Sequence, residues 1–366
     1  MRFRIESLVW LAPLVIAAAC SSGEQRKENL PPATGLSGDM YLVMDSAQWQ
    51  GPLGAVLDSV FRAEMVGLPR EEGIFKMHWI DPRKLNFVLK QRRNLIFAVT
   101  LDQRGAGANI VKKIFSPASL ERIKTDTSEF VQTSANLFAK GQEVMYLYSN
   151  SEARLIEKVR KNSQRLVESF NRKERERLTV SLFKSGRLKG ASGWLNKNFQ
   201  CDIQIPFGYK LVQDETDFFW ARQINPKDDK DIFIAWTEYK SPDQFKKENL
   251  IAYRDQVCKK YLFEDPDMPD SYLLTETSIP FIPVETKEIN FNGLFAVEMR
   301  GIWRTNNKSM GGPFLSYALA DEATGRFFYI EGFTFSPSRE QREIMRELET
   351  ILYTFKTSTQ LPVAKK

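Results

Sequence analysis

Histidine and cysteine, the side chains that most often carry nucleophilic or metal chemistry, are scarce in this 366-residue chain, which contains one His and three Cys. His78 lies in the stretch FKMHWI, where it alternates with aromatic and apolar residues along a predicted strand. A Ser-His-Asp or Cys-His nucleophile would have to use His78, and the sequence contains no G-x-S-x-G elbow. We therefore expect His78 to be a half-exposed strand residue, and we predict no catalytic residue.

The sequence also contains no set of ligands for a metal ion or a phosphate group. One His with dispersed cysteines cannot supply the closely spaced pairs of a zinc site. The acidic stretch EDPDMPD, residues 264–270, lacks the spacing and the terminal glutamate of a calcium loop, and its prolines indicate a turn. The stretch GPLG, which begins at Gly51, has a proline where a bound anion would need an N–H donor. The sequence predicts no metal site and no cofactor.

The most suggestive charged residues belong to the second half of the chain. Arg254 falls on the apolar stripe of a predicted helix, so it should be partly buried and should need a carboxylate or carbonyl partner. Glu298, in the predicted strand GLFAVEMRGIWRT, is the partner that we expect. One interpretation of this pair is structural. The other is contact with an anionic ligand, assisted by Arg300 and Trp303.

Two of the cysteines fall on apolar faces of predicted elements. Cys201 alternates with apolar residues in the strand FQCDIQIP, and Cys258 lies on the same helical stripe as Arg254. Free buried cysteine behaves as a small hydrophobe, so two free thiols are expected. A disulfide between Cys201 and Cys258 stays open as the alternative, because an oxidising compartment would permit it.

The remaining cysteine, Cys20, directly follows a predicted targeting segment. Two arginines precede an apolar run that ends at Ala19 and is shorter than the about 20 residues needed to cross a bilayer core, but it has the length of a signal-peptide core. Small residues directly before Cys20 resemble the lipobox of bacterial lipoproteins, although Ala17 stands where such boxes usually carry a large aliphatic residue. This resemblance implies cleavage before Cys20 and lipidation of the new N-terminus.

A lipidated Cys20 would hold the protein on a membrane outside the cytosol. Each buried methylene of an acyl chain contributes about 0.8 kcal/mol, and more than one chain gives stable anchoring. Ser21, not Asp, follows the cysteine, which favours the outer membrane and a periplasm-facing protein. The formal net charge of +6 is a weak indication of envelope proteins or an anionic ligand as partners. Export argues against nucleic acid.

Composition and length predict a folded chain of two domains. Hydrophobic residues make up 42% and charged residues 27%, which is typical of globular proteins. We predict a signal peptide over residues 1–19, a disordered tether rich in Ser, Gly, Pro and charge over 20–38, an N-terminal α/β domain over 39–189, a C-terminal α+β domain over 190–358 and a tail over 359–366. The stretch SGRLKGASGW marks the boundary near Gly190.

The predicted fold class is α+β, with two α/β sandwich domains. Before Gly190, apolar strands such as NLIFAVTL and EVMYLYS alternate with helical periodicity. After Gly190 the period changes to two, which predicts a largely antiparallel sheet covered by helices. The sequence NG at Asn292 and Gly293 predicts a turn in this sheet. The closing helix is predicted to start at Ser336 and Pro337.

Several stretches together resemble a family of Bacteroidetes lipoproteins of unknown function; they are RRNLIFAV, FAKGQEVMYL, IPFGYKL, NLIAYRD, MRGIWRTNNKSMGGPFLSY and GFTFSP. The resemblance spans about Gly38 to Thr357 and includes no reactive signature. It therefore implies an exported lipoprotein and transfers no catalytic residue. The element order of the second half is also weakly similar to PsbP-like sandwiches, which are mostly assembly or binding modules; that similarity concerns the fold.

The sequence thus favours a lipid-anchored, periplasm-facing binding or scaffold protein. The alternative is a hydrolase that acts on an envelope polymer and uses carboxylates. Acidic residues are abundant, but no spacing in the sequence singles out two of them as an acid and base pair.

Overall fold

The structure is a computed structural model that describes residues 29–126, 128–262 and 267–361. The predicted signal peptide, Cys20 and the first part of the predicted tether, up to residue 28, lie outside the described residues, as do the start of EDPDMPD and the end of the tail. The chain forms two compact units, the first from residues up to 57 and 77–163, the second from 58–76 and 164–366. The α+β prediction is confirmed, with a mixed sheet in the first unit and an antiparallel sheet in the second. None of the described helices is long and apolar enough to cross a bilayer.

The first unit is built on a mixed sheet of order β2-β1-β3-β5-β4. Its strands are β1 (Asp39–Val43), β2 (Lys76–Ile80), β3 (Asn94–Thr100), β4 (Val131–Ala135) and β5 (Glu143–Ser149). The helices are α1 (Ser46–Trp49), α2 (Pro52–Phe61), which runs into the segment 58–76, α3 (Phe87–Lys90), α4 (Ala106–Lys112), α5 (Pro117–Thr125) and α6 (Glu152–Lys161). Strands β1, β3 and β5 are parallel, and β4 is antiparallel to β5. Every residue of β3 and β5 is buried, as expected of parallel strands covered on both faces.

The start of the first unit lies inside the predicted tether. The Lys140 N–H donates to the Pro31 carbonyl at 2.7 Å, and the Thr34 N–H donates to the Gln91 carbonyl at 2.9 Å. These bonds involve only the backbone, so they need none of the apolar surface that the tether sequence lacks. Ordered contacts therefore begin earlier in the chain than the composition predicts.

The second unit is built on an antiparallel sheet of order β10-β11-β12-β13-β8-β7-β6, with β9 paired to β11. Its strands are β6 (Lys210–Asp214), β7 (Phe218–Ile224), β8 (Asp229–Glu238), β9 (Leu273–Thr275), β10 (Glu285–Phe291), β11 (Leu294–Thr305), β12 (Gly311–Asp321) and β13 (Arg326–Phe335). The helices are α7 (Ser163–Leu182), α8 (Ala191–Phe199), α9 (Lys247–Tyr261) and α10 (Arg342–Leu352). Short 3-10 helices cover Pro82–Lys84 in the first unit, and Pro242–Phe245 and Ser358–Gln360 in the second.

Both faces of this sheet are apolar, because successive side chains along each strand point to opposite sides. In β13, Phe328 and Ile330 join one core, while Phe327, Tyr329 and Phe333 join the other. Helix α10 covers the first side, here called the α10 face. Helix α9 covers the second side, here called the α9 face. Each charged residue of the sheet therefore belongs to one face and can meet only partners on that face.

A segment from early in the chain completes the α10 face. Met65 and Leu68 lie in the core of this face. The Glu72 carboxylate accepts hydrogen bonds from the backbone N–H groups of Gln341 at 2.7 Å and Arg342 at 2.9 Å. The prediction that the closing helix starts at Ser336 and Pro337 is wrong: the helix begins at Arg342, where this distant carboxylate supplies the cap.

Glu72→Ala should lower the free energy of unfolding by about 1–2 kcal/mol, because two charge-assisted hydrogen bonds to the start of α10 are lost. Urea denaturation measures the change. Its exposed neighbour Glu71 provides the matched control, and Glu71→Ala should change stability by less than about 0.5 kcal/mol. Equal effects of the two substitutions would contradict the capping role.

Candidate functional site

Arg254 is fully buried in α9, and its carboxylate partner is Glu331 of β13. The Nε and Nη2 atoms of Arg254 donate to the two oxygens of Glu331, both at 2.8 Å, which makes a bidentate pair. Both side chains are 0% exposed. The prediction of Glu298 as partner is wrong, because Glu298 lies on the α10 face, where the Tyr317 hydroxyl donates to it at 3.1 Å.

The surroundings of this pair satisfy it. Arg254 Nη1 donates to the Thr275 hydroxyl at 3.2 Å, and the guanidinium carbon lies 4.1 Å from the centre of the Phe314 ring. The Tyr329 hydroxyl donates to Glu331 at 2.7 Å. Burial raises the pKa of the Glu331 carboxyl, while Arg254 and Tyr329 oppose that shift. This closed network has the character of a structural ion pair.

Glu298 and Arg300 meet each other in a second network, on the α10 face. Arg300 donates to Glu298 at 2.8 Å and to Glu349 of α10 at 3.1 Å. Glu349 also accepts from Arg175 of α7 at 2.9 Å. Burial alone would raise the pKa of the Glu349 carboxyl, but Arg300 and Arg175 together lower it. The alternating charges join α7 and α10 to strand β11.

Trp303 is a core residue of the α9 face. It is 0% exposed, its ring centre lies 5.5 Å from that of Phe333, and its Nε1–H donates to the Thr334 carbonyl at 3.2 Å. Trp303 and Arg254 thus lie on one face of the sheet, and Glu298 and Arg300 on the other. The structure does not bring the four predicted residues together into one ligand site.

The pattern of residues in β13, and not the one in β11, identifies Glu331 as a carboxylate that needs a buried partner. In the strand RFFYIEGFTF, Glu331 is in phase with the residues that form the aromatic side of the strand; these are Phe327, Tyr329 and Phe333. A carboxylate within such a stripe must find a buried cation. Arg254 is the buried cation of the helix that covers this stripe.

The two cysteines of the second unit, Cys201 and Cys258, are both buried and form no disulfide with each other. Cys201 belongs to the core of the α10 face and Cys258 to the core of the α9 face, so the sheet separates them. Burial raises the pKa of the Cys201 thiol, which keeps it protonated and unreactive. Cys20 lies outside the described residues.

His78 is half-exposed in β2 of the first unit. Its Nε2 lies 3.2 Å from Asp39 Oδ1, and its ring stacks on Tyr41 with centres 4.8 Å apart. The described residues contain no group of three or more His, Cys, Asp or Glu side chains that could hold a metal ion.

In the first unit, an internal carboxylate occupies the position where open α/β sheets often bind anions. In this sheet β1 lies between β2, the next strand in the chain, and β3. Ligands favour the carboxyl ends of the strands at such a topological switch point. There Asp45 accepts from the backbone N–H of Ala108, near the start of α4, at 3.1 Å. A Cβ on Gly105 or Gly107 would come within 2.5 or 2.7 Å of this carboxylate. The glycines let Asp45 cover the N-terminus of α4, which an external anion would otherwise use.

An open groove of about 430 Å³ lies beside β10, an edge strand of the second unit's sheet. The groove is lined on one side by the 3-10 helix Pro242–Phe245 and the start of α9, and on the other by β10 and β11. The aromatic and charged residues among them are Phe245, Lys246, Lys247, Lys287, Glu288 and Phe295. We call this the β10 groove.

Two phenylalanines form the apolar part of the β10 groove. Phe295 is 53% exposed, and its ring meets that of Phe245 edge to face, with centres 5.2 Å apart. Phe245 in turn packs on Phe327 in the core, with ring centres 5.1 Å apart. The exposed ring is therefore held by the core of the α9 face, and a ligand that covers it meets an ordered surface.

Lysines give the β10 groove a positive rim. Lys246 pairs with Asp243 at 2.8 Å, in an exposed pair, and Lys247 forms no ion pair within the described part of the chain. Lys287 is in phase with Ile289 and Phe291 and lies opposite Glu298, so its side chain starts from the α10 face and not from the face of Phe295. Lys247 is also the first residue of α9, whose N-terminus has no side-chain cap. The positive end of the helix dipole adds to the lysine charges. Glu288 opposes only part of this potential.

Two family models match the chain. The first, "Domain of unknown function (DUF8532)", matches residues 33–183, and the second, "Domain of unknown function (DUF4837)", matches residues 190–354. The predicted domain boundary near Gly190 falls between these matches, whereas the two compact units divide near residue 163.

Comparison with solved structures finds distant likenesses. The Saccharomyces cerevisiae Ran-binding protein Mog1p has a TM-score of 0.28 and 7% identity, covering 47% of this chain and 93% of that one. Human StAR-related lipid transfer protein 5 has a TM-score of 0.22 and 8% identity, covering 51% of this chain and 95% of that one. These TM-scores are too low to support a functional assignment. The search of curated proteins finds no match.

Removing one partner of the Arg254 and Glu331 pair should cost far more than removing both. Arg254→Met or Glu331→Leu alone should lower the free energy of unfolding by about 3–5 kcal/mol, because each leaves an uncompensated buried charge. The double substitution should recover most of this loss. Urea denaturation of the four proteins measures the coupling, and additive losses would contradict the structural interpretation.

Proposed function

We propose that the protein is a lipid-anchored envelope protein whose second unit binds an anionic ligand that carries an apolar or planar group. The apolar group lies on Phe295 and Phe245, and the negative charge faces Lys246 and Lys247. The observation that carries this proposal is the exposed Phe295 ring beside Lys246 and Lys247 at the start of α9, where the helix has no side-chain cap.

The aromatic rings and the lysines of the β10 groove should contribute different amounts of binding free energy. Covering the exposed half of Phe295 removes roughly 100 Å² of apolar surface from water, which contributes about 2.5 kcal/mol. Each solvent-exposed ion pair contributes less, about 0.2–1 kcal/mol. The aromatic rings therefore supply most of the affinity, while Lys246 and Lys247 select ligands by charge.

The proposed anchor and location rest on the leader sequence. Small residues before Cys20 follow an apolar run of signal-peptide length, and the chain resembles exported Bacteroidetes lipoproteins. Ser21 supports an outer-membrane location with the protein facing the periplasm. A groove with a lysine rim suits this compartment, where acidic proteins and anionic lipids are both within reach of an anchored protein.

Anilinonaphthalene sulfonate suits the β10 groove as a probe, because it joins aromatic rings to one negative charge. Lys246→Glu with Lys247→Glu should weaken its binding at least tenfold, equivalent to about 1.4 kcal/mol. N-phenyl-1-naphthylamine has the same rings without the sulfonate, and its affinity should change less than about threefold. Fluorescence titration measures both probes.

The matched control reverses the charge of two exposed lysines outside the groove, Lys189 and Lys197. Lys189→Glu with Lys197→Glu makes the same change in net charge and should leave the affinity for the sulfonate probe unchanged. An equal effect of the two double variants would show non-specific charge attraction. No effect of either would place the probe elsewhere, and both results contradict the proposal.

Cys20→Ser should abolish incorporation of labelled fatty acid and move the protein from the membrane fraction to the soluble fraction, because the acyl chains supply the anchoring. Ser22→Ala, two residues away, should leave labelling and fractionation unchanged. A Cys20→Ser protein that stays with the membrane would contradict the anchor while leaving the β10 groove open to its own test.

A further inference from the structure

The far edge of the second unit's sheet, at β6, exposes apolar residues along an open strand. Strand β6 has the sequence KLVQD and, within the described residues, pairs with β7 alone. Leu211 and Val212 are 45% and 47% exposed. An edge strand of this kind has free backbone N–H and C=O groups and can pair with a further strand.

Further apolar residues are exposed near one end of β6. Phe207 is 67% exposed and Ile224 is 70% exposed. These residues lie at the same end of the edge, since a Cβ on Gly208 would come within 2.8 Å of the Gln223 side chain. The exposed apolar residues Phe207, Leu211, Val212 and Ile224 are here called the β6 patch. Single exposed apolar residues are ordinary, whereas several along one open edge favour pairing with a further strand.

We propose that β6 pairs in antiparallel orientation with β6 of a second copy of this chain, about a two-fold axis at Val212. In this register Val212 lies opposite its own copy, Leu211 lies opposite Gln213, and Lys210 lies opposite Asp214. The charged ends of KLVQD thus form two favourable cross-strand pairs, one on each side of the axis. Parallel pairing in register would place Lys210 against Lys210 and Asp214 against Asp214. The charge pattern therefore selects an antiparallel, closed dimer.

The irregularity in β6 is consistent with this axis. The pairing of β6 with β7 shifts register between Leu211 and Gln213, which leaves Val212 as the extra residue of a bulge. A bulge normally blunts an edge against foreign strands. At a two-fold axis through Val212 the second copy presents the same bulge, so the flanking residues of the two strands keep matching spacing. The edge is thereby more selective for its own copy than for a regular strand.

Sedimentation equilibrium of the mature chain carrying Cys20→Ser tests the dimer. The wild-type edge should give a concentration-dependent dimer, and Leu211→Glu should raise its dissociation constant at least a hundredfold. Val180→Glu is the matched control, because Val180 is 76% exposed on α7, outside the patch, and should leave association unchanged. A protein that stays monomeric at every concentration would overturn the proposal. This holds also if the β6 patch then binds anionic lipid vesicles.

Charge-reversal and cysteine variants test the register without relying on the folding of Leu211→Glu. Lys210→Asp should weaken the dimer, and Lys210→Asp with Asp214→Lys should restore it. Val212→Cys should form a disulfide with its own copy, because facing Cα atoms in an antiparallel pair lie about 4.5–5.5 Å apart. Ile224→Cys, away from the axis, should not. A dimer that shows neither the charge rescue nor the Val212→Cys disulfide would use another surface and contradict the β6 register.

Discussion

Side-chain alternation across the antiparallel sheet of the second unit decides which charged residues can meet. Arg254 reaches Glu331 because both belong to the α9 face, and Arg300 reaches Glu349 because both belong to the α10 face. A change of one residue in register would carry each of the strand residues to the opposite face. The two ion networks are therefore consequences of the sheet, and they also fix the helices that cover it.

The buried charges explain why we place the proposed ligand outside the core. Taking an ion pair out of water costs several kcal/mol per ion, so a buried pair persists only where geometry and hydrogen bonds compensate. Arg254 and Glu331 meet this condition through bidentate geometry, the Thr275 and Tyr329 hydroxyls and the ring of Phe314. A ligand would have to compete with all of these contacts. The two edges of the sheet, near β10 and β6, instead expose apolar side chains such as Phe295 and Leu211, and we propose these edges as the surfaces of recognition.

Local patterns in the sequence predict the parts of the fold that depend on neighbouring residues. Alternating apolar residues identify the strands of the second unit, and Asn292 with Gly293 forms the turn between β10 and β11, with both φ angles positive. The burial of Arg254 follows from its position on a helical stripe. Each of these inferences needs only a few consecutive residues and the period of a helix or strand.

The features that the sequence does not reveal depend on contacts between distant residues. The partner of Arg254 depends on which face of β13 the helix α9 covers, and the start of α10 depends on Glu72, 269 residues before Gln341. The β10 groove likewise forms only when the turn before α9 lies beside β10 and β11, which brings Phe245 against Phe295. Side-chain types can indicate that a partner is needed, but the register and packing decide which partner is found.

Hydrogen exchange of the full chain, with and without anilinonaphthalene sulfonate, tests most directly whether recognition occurs at the edge of the sheet while the buried ion pairs remain structural. The probe should slow exchange in residues 242–248 and 285–297 and leave the amides around Arg254 and Glu331 unchanged. Slower exchange centred on Arg254 and Glu331, with none in the β10 groove, would contradict this account.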